Sequence, residues 1–582
     1  MALYRSDQTQ LTFGPEAAPG GYADPVLLQG SAIASSSPYN QELQVAANAG
    51  DTSINVKANT NATVGDFIMI GDHTASSFTT AARMCEIRRV ENVSGTGTST
   101  IMYLDAPLGF YHAADQDVIQ VEAYPVAANH FRANTYLPGV YDTVNLPEPS
   151  NAINPSYFLG TGEKRSYTHA YRGAQSLEGS ISSFAVLNGW PLRFPIGKVD
   201  SSATKDGTDG AVTAAGDFLA KKGDYYIRAN TTSFDNNITV VVGDSPNREM
   251  KLITTRVSGS HDYLQLNSPL RFDHSAGGDL AQILAAGEAG TGTKFTHSIT
   301  ESTELDTVCW EATFADSSGT AANTLKRRYY GGMVGTATLA AEEGGVLTMS
   351  WDSVPFMGMQ HNIAEGDLGS GAAGVSLPGY MLMNTALNRV GRPTGTTVAE
   401  SYPNTEPYYF SQGTITMFGV VIARIRDFSL SINNNLESRY YIEQRGDNRR
   451  RGPSEIHEGR REYSMTCTIV PDAIDATHTA SSHTRNVFTE YIGQADASAF
   501  GTNAQMTGFA MDLSFIRGPL ADATHGNDTI TITVPASTDN KPGAILTAAP
   551  LQIDGNNPLQ TSAEILIRTL SITIEDNEPF YP

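Results

Sequence analysis

The strongest constraint on the fold of this chain is an internal repeat. The segment VKANTNATVGDFIMIGD at 56–72 resembles IRANTTSFDNNITVVVGD at 227–244. Further along, YLDAPLGFYHAAD at 103–115 resembles QLNSPLRFDHSAG at 265–277. The matches keep their order, and the gaps between them fall in stretches of Gly, Ser and Thr. Such a pattern is typical of one supersecondary unit that occurs twice.

Each copy of the repeat reads as a small β-module of about seventy residues. Short apolar runs are separated by Gly and Asn turns, which indicates a compact barrel or sandwich. In the first copy, the strands predicted from this pattern lie near 53–56, 66–71, 84–93 and 99–104.

Each copy also carries one histidine, His112 or His274, after the shared Pro-Leu pair. Neither histidine has a second metal ligand at a useful spacing, so we expect no metal and no cofactor. The three cysteines, Cys85, Cys309 and Cys467, are odd in number and far apart. A disulfide framework or a zinc site is therefore not expected.

The rest of the chain carries longer strands. Phe428, Leu430 and Ile432 alternate with polar residues, and TATLAAEEGGVLTMSW at 336–351 reads as an antiparallel hairpin. Apolar residues at helical spacing predict one helix at 481–495. We therefore predict a mainly β chain: a sandwich or barrel core with one flanking helix, plus two small β-barrel or sandwich modules.

These patterns divide the chain into five parts. We predict an extended N-terminal arm at 1–48, module copy 1 at 49–123, a first core segment at 124–200, an inserted module copy 2 at 201–288, and a second core segment at 289–582. The stretches that flank the insertion, SSATKDGTDG and AAGEAGTGTK, are predicted to be flexible hinges. No apolar run is long enough for a transmembrane helix, and the N-terminus lacks the apolar region of a signal peptide.

The charge of the chain restricts its function. It has 38 basic and 61 acidic residues, which gives a net charge of −23. An acidic protein grips a phosphate backbone poorly, whereas an acidic surface lets nucleic acid pass without sticking. The sequence contains no HExxH, GxSxG, Walker or CxxC pattern, so we do not expect an enzyme.

One basic cluster interrupts this acidic chain. Its members are Arg439, Arg445, Arg449, Arg450, Arg451, Arg460 and Arg461. Docking onto an acidic surface of another copy and a solvated loop with weak salt bridges are equally good interpretations. Nucleic-acid contact is less favoured, because only Tyr440 and Tyr441 could stack on bases. The candidate inter-subunit docking residues are Arg445, Arg449, Arg450, Arg451, Arg460 and Arg461.

Several segments resemble the major tail tube proteins of tailed bacteriophages and archaeal tailed viruses. They are SYTHAYRGAQSLEGSISSF at 166–184, VVIARIRDFSLSINNNLESRYYIEQRG at 420–446, GRREYSMTCTIVPD at 459–472, and the helix at 481–495. The resemblance implies a structural virion protein, located in the tail and assembled in the host cytoplasm. It implies hexameric rings that stack into a tube, a conduit for delivery of the genome DNA without specific binding. It also implies tape measure, tail terminator and baseplate proteins as partners.

The resemblance to tail tube proteins does not cover the two modules, which are additions to the core. In this interpretation they project outward, and host-surface glycans are the partners that we consider for them. Other interpretations stay open. A capsid or baseplate-type virion protein would form shells or other assemblies rather than stacked rings. A carbohydrate-binding adhesin would show selective glycan binding, and a polysaccharide depolymerase would hydrolyse its polymer.

Overall fold

A computed structural model gives the structure of the chain. It describes residues 4–15, 40–58, 63–64, 66–71, 86–95, 99–104, 108, 111–121, 140–141, 143–156, 169–187, 189–213, 220–222, 224, 226–230, 234–235, 238–258, 261–266, 270–283, 294–316, 325–362, 406–417, 420–421, 424–441, 452–470, 508–517, 528–536, 541–552 and 559–576. Antiparallel strands dominate these ranges, which confirms the predicted mainly β class.

Helices are short in the described ranges. The one α-helix is Arg193–Ile196, and the 3-10 helices are Trp190–Leu192 and Phe410–Gln412. The helix predicted at 481–495 lies outside the described residues. No described helix combines the length and the hydropathy that crossing a bilayer requires.

The largest sheet, called here the large sheet, has ten strands. In spatial order they are Ala544–Ala548, Gln560–Ile567, Glu462–Ile469, Ile425–Asn433, Thr336–Glu342, Thr348–Pro355, Glu178–Ala185 and Val140–Tyr141, with Leu551–Gln552 also beside Gln560–Ile567 and Val144–Asn145 also beside Glu178–Ala185. The hairpin predicted at 336–351 is confirmed, because the strands on either side of its turn pair antiparallel.

A second sheet of seven strands packs against the large sheet. Its strands, in spatial order, are Gly197–Ser202, Phe295–Glu301, Ser571–Asp576, Asp528–Val534, Met511–Arg517, Gly413–Met417 and Val420–Val421. The rings of Phe428 in the large sheet and Phe515 in the second sheet lie 5.5 Å apart. The two sheets therefore form a sandwich with one shared apolar core.

The N-terminal strand belongs to this core. It lies at the edge of a four-stranded sheet with the order Tyr4–Pro15, Val308–Asp316, Leu325–Gly332 and Gly358–Asn362. Its residue Phe13 is buried edge-on against Trp310 and Trp351, with ring centroids 5.3 and 5.6 Å away. Residues 4–15 were expected in an extended arm. They are extended, but they pair within their own chain.

Two short strand pairs complete the part of the chain outside the modules. They are Ser150–Ser156 with His169–Ser176, and Glu437–Arg439 with Glu455–His457.

The two copies of the repeat fold alike. Module 1 is a sheet with the order Asn40–Glu42, Asp117–Val121, Phe67–Ile70, Glu86–Ser94, Thr100–Leu104 and Ser53–Val56. Module 2 has the order Lys205–Ala211, Asp279–Ile283, Thr239–Val242, Glu249–Ser258, Asp262–Leu266 and Tyr226–Ala229. Numbered along the chain, the strand order is the same in both, and the four strands predicted for the first copy are confirmed.

Each module curls until the two edges of its sheet meet. An isolated bridge joins Leu43 to Val56 in module 1, and another joins Val212 to Ala229 in module 2. The ladder is not continuous at these bridges, so neither sheet closes fully into a barrel.

The structure corrects one part of the repeat alignment. The sequence match pairs Val56 with Ile227. In the structure, Ile54 lies opposite Met102, and Ile227 lies opposite the matching residue Leu264. Ile54 is therefore the equivalent of Ile227, two residues away from the sequence match. A shift of two residues keeps every side chain on the same face of its strand, so the sequence pattern fits both alignments.

Module 2 lies between two strands of the second sheet that pair with each other, Gly197–Ser202 and Phe295–Glu301. The hinge predicted for SSATKDGTDG is wrong, because residues 201–202 end one strand and residues 205–210 belong to the next. Pairing with Asp279–Ile283 satisfies the backbone there, and the Lys205 ammonium lies 2.5 Å from Asp279. Of the other predicted hinge, only Lys294 is among the described residues.

Candidate functional site: the outer face of the large sheet

The large sheet turns one face to the core and the other to solvent. In its central strand Phe428, Leu430 and Ile432 are buried, whereas Ser429 and Ser431 point away from the core. We call the solvent side the outer face. Its central positions hold short side chains, mostly hydroxyls: Thr336, Thr338, Ala340, Thr348, Ser350, Ser429, Ser431, Ser464, Thr466, Thr468 and Ser562.

The strand register aligns these short side chains in rows. One row runs across five strands through Thr348, Ala340, Ser429, Thr466 and Glu564. Neighbouring strands lie about 4.8 Å apart, so such a row is a closely spaced ladder. Because short side chains project little, most of the outer face is smooth and polar.

The outer face is also strongly acidic. The strands of the large sheet carry six acidic residues: Glu178, Glu342, Asp352, Asp427, Glu462 and Glu564. They carry one basic residue, Arg426, at a β-bulge near the end of its strand. The Arg426 guanidinium lies 3.5 Å from Glu343 and also donates to Gln560. Among the described residues, none of the six acids forms a salt bridge, so their negative charge is not neutralised locally.

The second sheet shows what distinguishes the large sheet. Its solvent face is also rich in hydroxyls, with Ser514 and Thr531 3.1 Å apart. Three of the six acids in its strands, however, pair with Arg or Lys. Arg248 lies 2.6 Å from Asp200, Arg517 lies 2.7 Å from Asp528, and Lys294 pairs with Glu575. The unneutralised charge is therefore concentrated on the outer face of the large sheet.

The predicted docking arginines are only partly within the described residues. Arg445, Arg449, Arg450 and Arg451 lie outside them, and Arg460 is exposed. The Arg461 guanidinium donates to the side chain of Asn434 at 2.7 Å and to the carbonyl of Ile196 at 3.0 Å. Arg461 thus joins two segments of its own chain. A docking role for the cluster stays a prediction.

The two repeat histidines have neighbours within their own modules. The buried His274 ring lies 2.7 Å from Glu249, and the His112 ring lies 3.1 Å from Gln116. In the described ranges, no group of three or more His, Cys, Asp or Glu is arranged to hold a metal ion.

Glu249 is the centre of a buried charge cluster in module 2. Although burial opposes its ionisation, Lys251 at 2.9 Å, His274 and Arg271 hold the pKa of Glu249 far below its usual range. Burial lowers the pKa of Lys251 to about 8, against the attraction of Glu249. The register aligns Glu249 and Lys251 with Glu86 and Arg88 of module 1. This shared Glu-x-base pattern is visible in the sequence, but our comparison of the copies missed it.

The chain is similar to a known protein family over most of its length. A family model described as phage tail tube protein matches residues 6–564. The match includes both modules and the strands of the sandwich up to residue 564, so that Ser571–Asp576 lies beyond it. A search of curated proteins finds no match.

Proposed function

The chain belongs to the phage tail tube protein family, and from this premise we propose that its copies form hexameric rings that stack into a hollow tube for passage of the viral DNA. As a tail tube protein it is a structural component of the virion tail, in a family that is structural rather than enzymatic. The proposal extends to assembly in the host cytoplasm and to contacts with tape measure, tail terminator and baseplate proteins.

We assign the wall of the channel to the outer face of the large sheet. The observation that carries this assignment is the excess of six acidic residues over one basic residue in the strands of that sheet. A negatively charged channel wall repels the phosphates of DNA, whereas cationic side chains would bind the phosphates and slow the passage of DNA. The rows of short hydroxyl side chains give DNA few projections against which to catch.

The open edges of the sheets favour the same assignment. A wall that continues from subunit to subunit needs strand edges that can meet a neighbouring copy. One end of the second sheet is Gly197–Ser202, where the Ser201 N–H already donates to the carbonyl of Arg248 in module 2, at 3.0 Å. The other end is the two-residue strand Val420–Val421, which is too short to offer much pairing. The large sheet carries no module at either edge among the described residues.

Electron microscopy of the purified protein tests assembly. We expect tubes with an axial channel, because the edge strands of the large sheet can add strands from other copies. Among the described residues, the edge strand Ala544–Ala548 meets its own chain on the outer side only at the bridge between Ala544 and Phe509. Images that show only monomers at every salt concentration would contradict the proposal.

Charge reversal tests which face lines the channel. We expect virions with Glu462→Lys and Glu564→Lys to release their DNA more slowly than the wild type when ejection is triggered in vitro. The matched control is Asp512→Lys with Glu575→Lys, which changes the charge equally on the solvent face of the second sheet. Slower release in the control alone would assign the channel to the other sheet.

The arginine cluster gives a second contact to test. We propose that Arg445, Arg449, Arg450, Arg451 and Arg460 dock onto acidic surface of a neighbouring ring, which charge complementarity supports. Replacing Arg449, Arg450 and Arg451 by Glu should shorten the tubes and leave the circular dichroism of the subunit unchanged. Lys221→Glu, on the surface of module 2, is the control. Tubes of normal length in the triple variant would remove the docking role.

A further inference from the structure

Module 2 is fastened to one edge of the sandwich. The strand Gly197–Ser202 is the last strand of the second sheet, and it pairs with Phe295–Glu301 on one side only. On its other side, the Ser201 N–H donates to the carbonyl of Arg248, immediately before the module strand Glu249–Ser258. Module 2 therefore occupies part of an edge at which another strand could add.

A polar latch holds this contact. The Arg248 guanidinium donates to both carboxylate oxygens of Asp200, at 3.1 and 2.6 Å, and the backbone N–H of Arg248 donates to the same group at 2.9 Å. The Ser245 hydroxyl adds a further hydrogen bond at 3.2 Å. Although partial burial opposes it, the bonding by Arg248 lowers the pKa of Asp200. A carboxylate bound by a guanidinium and a backbone N–H is a strong and directional contact.

An apolar contact lies beside the latch. Val241, Met250, Leu252 and Ile283 of module 2 form a buried cluster with Phe295 of the second sheet. These side chains are at most 7% exposed. Burial of this area stabilises the docked position of the module through the hydrophobic effect.

Module 1 differs from module 2 at two positions of this contact, although the register places Met69, Ile87 and Val121 at the positions of Val241, Met250 and Ile283. The register that aligns Glu86 with Glu249 places Arg89 at the position of Leu252. In the sequence, Cys85 precedes Glu86 as Arg248 precedes Glu249. A charged residue replaces the apolar one, and the latch arginine is absent from this position. The latch and the Leu252 contact are thus particular to the second copy, whereas the other apolar positions are shared by both copies.

We propose that module 2 is an edge cap, which prevents a second copy of this chain from adding a strand at Gly197–Ser202. The proposed tube requires neighbouring copies at high local concentration, and an open edge would then pair with the wrong surface of a neighbour. By covering this edge, module 2 favours the large sheet as the route for lateral contacts. The inference rests on the proposed function for its purpose, but capping itself is testable without tubes.

The experiment opens the cap in the full chain and traps edge pairing. Asp200→Ala removes the latch, and Leu252→Asp places a charge in the apolar contact, where it is tolerated only if the module separates. Lys198→Cys and Ser202→Cys report on pairing, since both are half-buried on the face of the strand that points away from the core. The Lys198 ammonium there lies 5.5 Å from the Phe272 ring of module 2, and both variants lose this contact equally. These two positions are about 13 Å apart along one strand, too far for a disulfide within the chain.

We expect the four-fold variant to give a disulfide-linked dimer under mild oxidation, with peptides 198 and 202 of different chains joined in mass spectra. The control keeps both cysteines and the closed cap but carries Lys205→Ala, which breaks an ion pair inside module 2. The control should give at least tenfold less dimer. Equal cross-linking in the two variants, or no cross-link at these positions in the open variant, would overturn the edge cap. Circular dichroism checks that both variants are folded.

Failure of this test is distinct from failure of the proposed function. Cross-linking reports only on the edge strand, whereas tube formation by the wild type is scored in electron micrographs. Tubes from the wild type with no cross-link in the open variant would refute the cap and keep the tube. A cross-link in the open variant without tubes from the wild type would refute the tube and keep the cap.

Discussion

Replacing Phe13 tests whether the N-terminal strand is part of the core. Phe13 is 1% exposed and contacts Trp310 and Trp351 edge-on. Truncation of a buried phenylalanine to alanine costs about 3–5 kcal/mol, since it removes buried area and leaves a cavity. The two edge-to-face ring contacts place Phe13→Ala toward the upper part of that range. A loss of about 4 kcal/mol lowers the folding equilibrium constant about a thousandfold.

The assay is tryptophan fluorescence during urea unfolding. The chain has three tryptophans, Trp190, Trp310 and Trp351, and all of them are buried in this one core cluster. Their emission therefore follows the sandwich and not the modules. Phe13→Leu is the matched control, because it fills most of the space and should cost roughly 1–2 kcal/mol. If Phe13→Ala shifts the transition no further than Phe13→Leu does, the N-terminal strand does not contribute to the core as described.

Two further predictions concern module 2. Protonation of Asp200 should release the latch. Because the pKa of Asp200 is lowered in the folded protein, the ionised carboxylate stabilises the docked state at any pH above the unfolded pKa of about 3.9. This contribution is lost as the pH falls through the still lower pKa of Asp200 in the folded protein. Protease accessibility of module 2 should thus rise below pH ~4 in the wild type, and Asp200→Asn should be accessible already at pH 7; no difference between the two proteins would contradict the latch. Gly243→Ala should lower the melting temperature more than Gly277→Ala. Both glycines have positive φ, +90° and +88°, but only at Gly243 would a Cβ atom collide, 2.2 Å from the His274 ring. Equal shifts would show that the histidine ring is free to move aside.

Local patterns in the sequence predict much of the sandwich. Phe428, Leu430 and Ile432 alternate with polar residues along a strand, and the structure buries all three. The alternation follows from the two-residue period of a strand with one face in the core, so it is visible without knowledge of the partner strand. The Glu-Glu-Gly-Gly turn at 342–345 is also predictable from local sequence, because glycine readily adopts the positive φ that the turn requires, +77° at Gly344.

Long-range contacts could not be predicted in this way. The N-terminal strand pairs with Val308–Asp316, about three hundred residues away in sequence, and no local pattern specifies that partner. Arg461 belongs to a basic cluster in the sequence, yet its hydrogen bonds join Asn434 to Ile196 within the fold. The latch between Asp200 and Arg248 is hidden for the same reason, because charged residues alone do not reveal which opposite charge they meet.

The sequence predicts only part of the outer face. The serines and threonines that alternate with apolar residues indicated solvent-facing strands. The concentration of acids on one sheet depends on which strands become neighbours, as Thr466 and Glu564 do through strands almost a hundred residues apart. The net charge of −23 gave the sign of the surface but not its location.

The place at which module 2 enters the chain has a consequence for how such proteins diversify. Ser202 and Thr296 are opposite each other in the ladder, so the module starts and ends where a simple hairpin loop would. Any compact unit whose termini lie close together can be grafted at such a point without changing the pairing on either side. Related virions could therefore exchange the whole domain in a single recombination event, and engineers could use the same position to display a foreign protein along the tail.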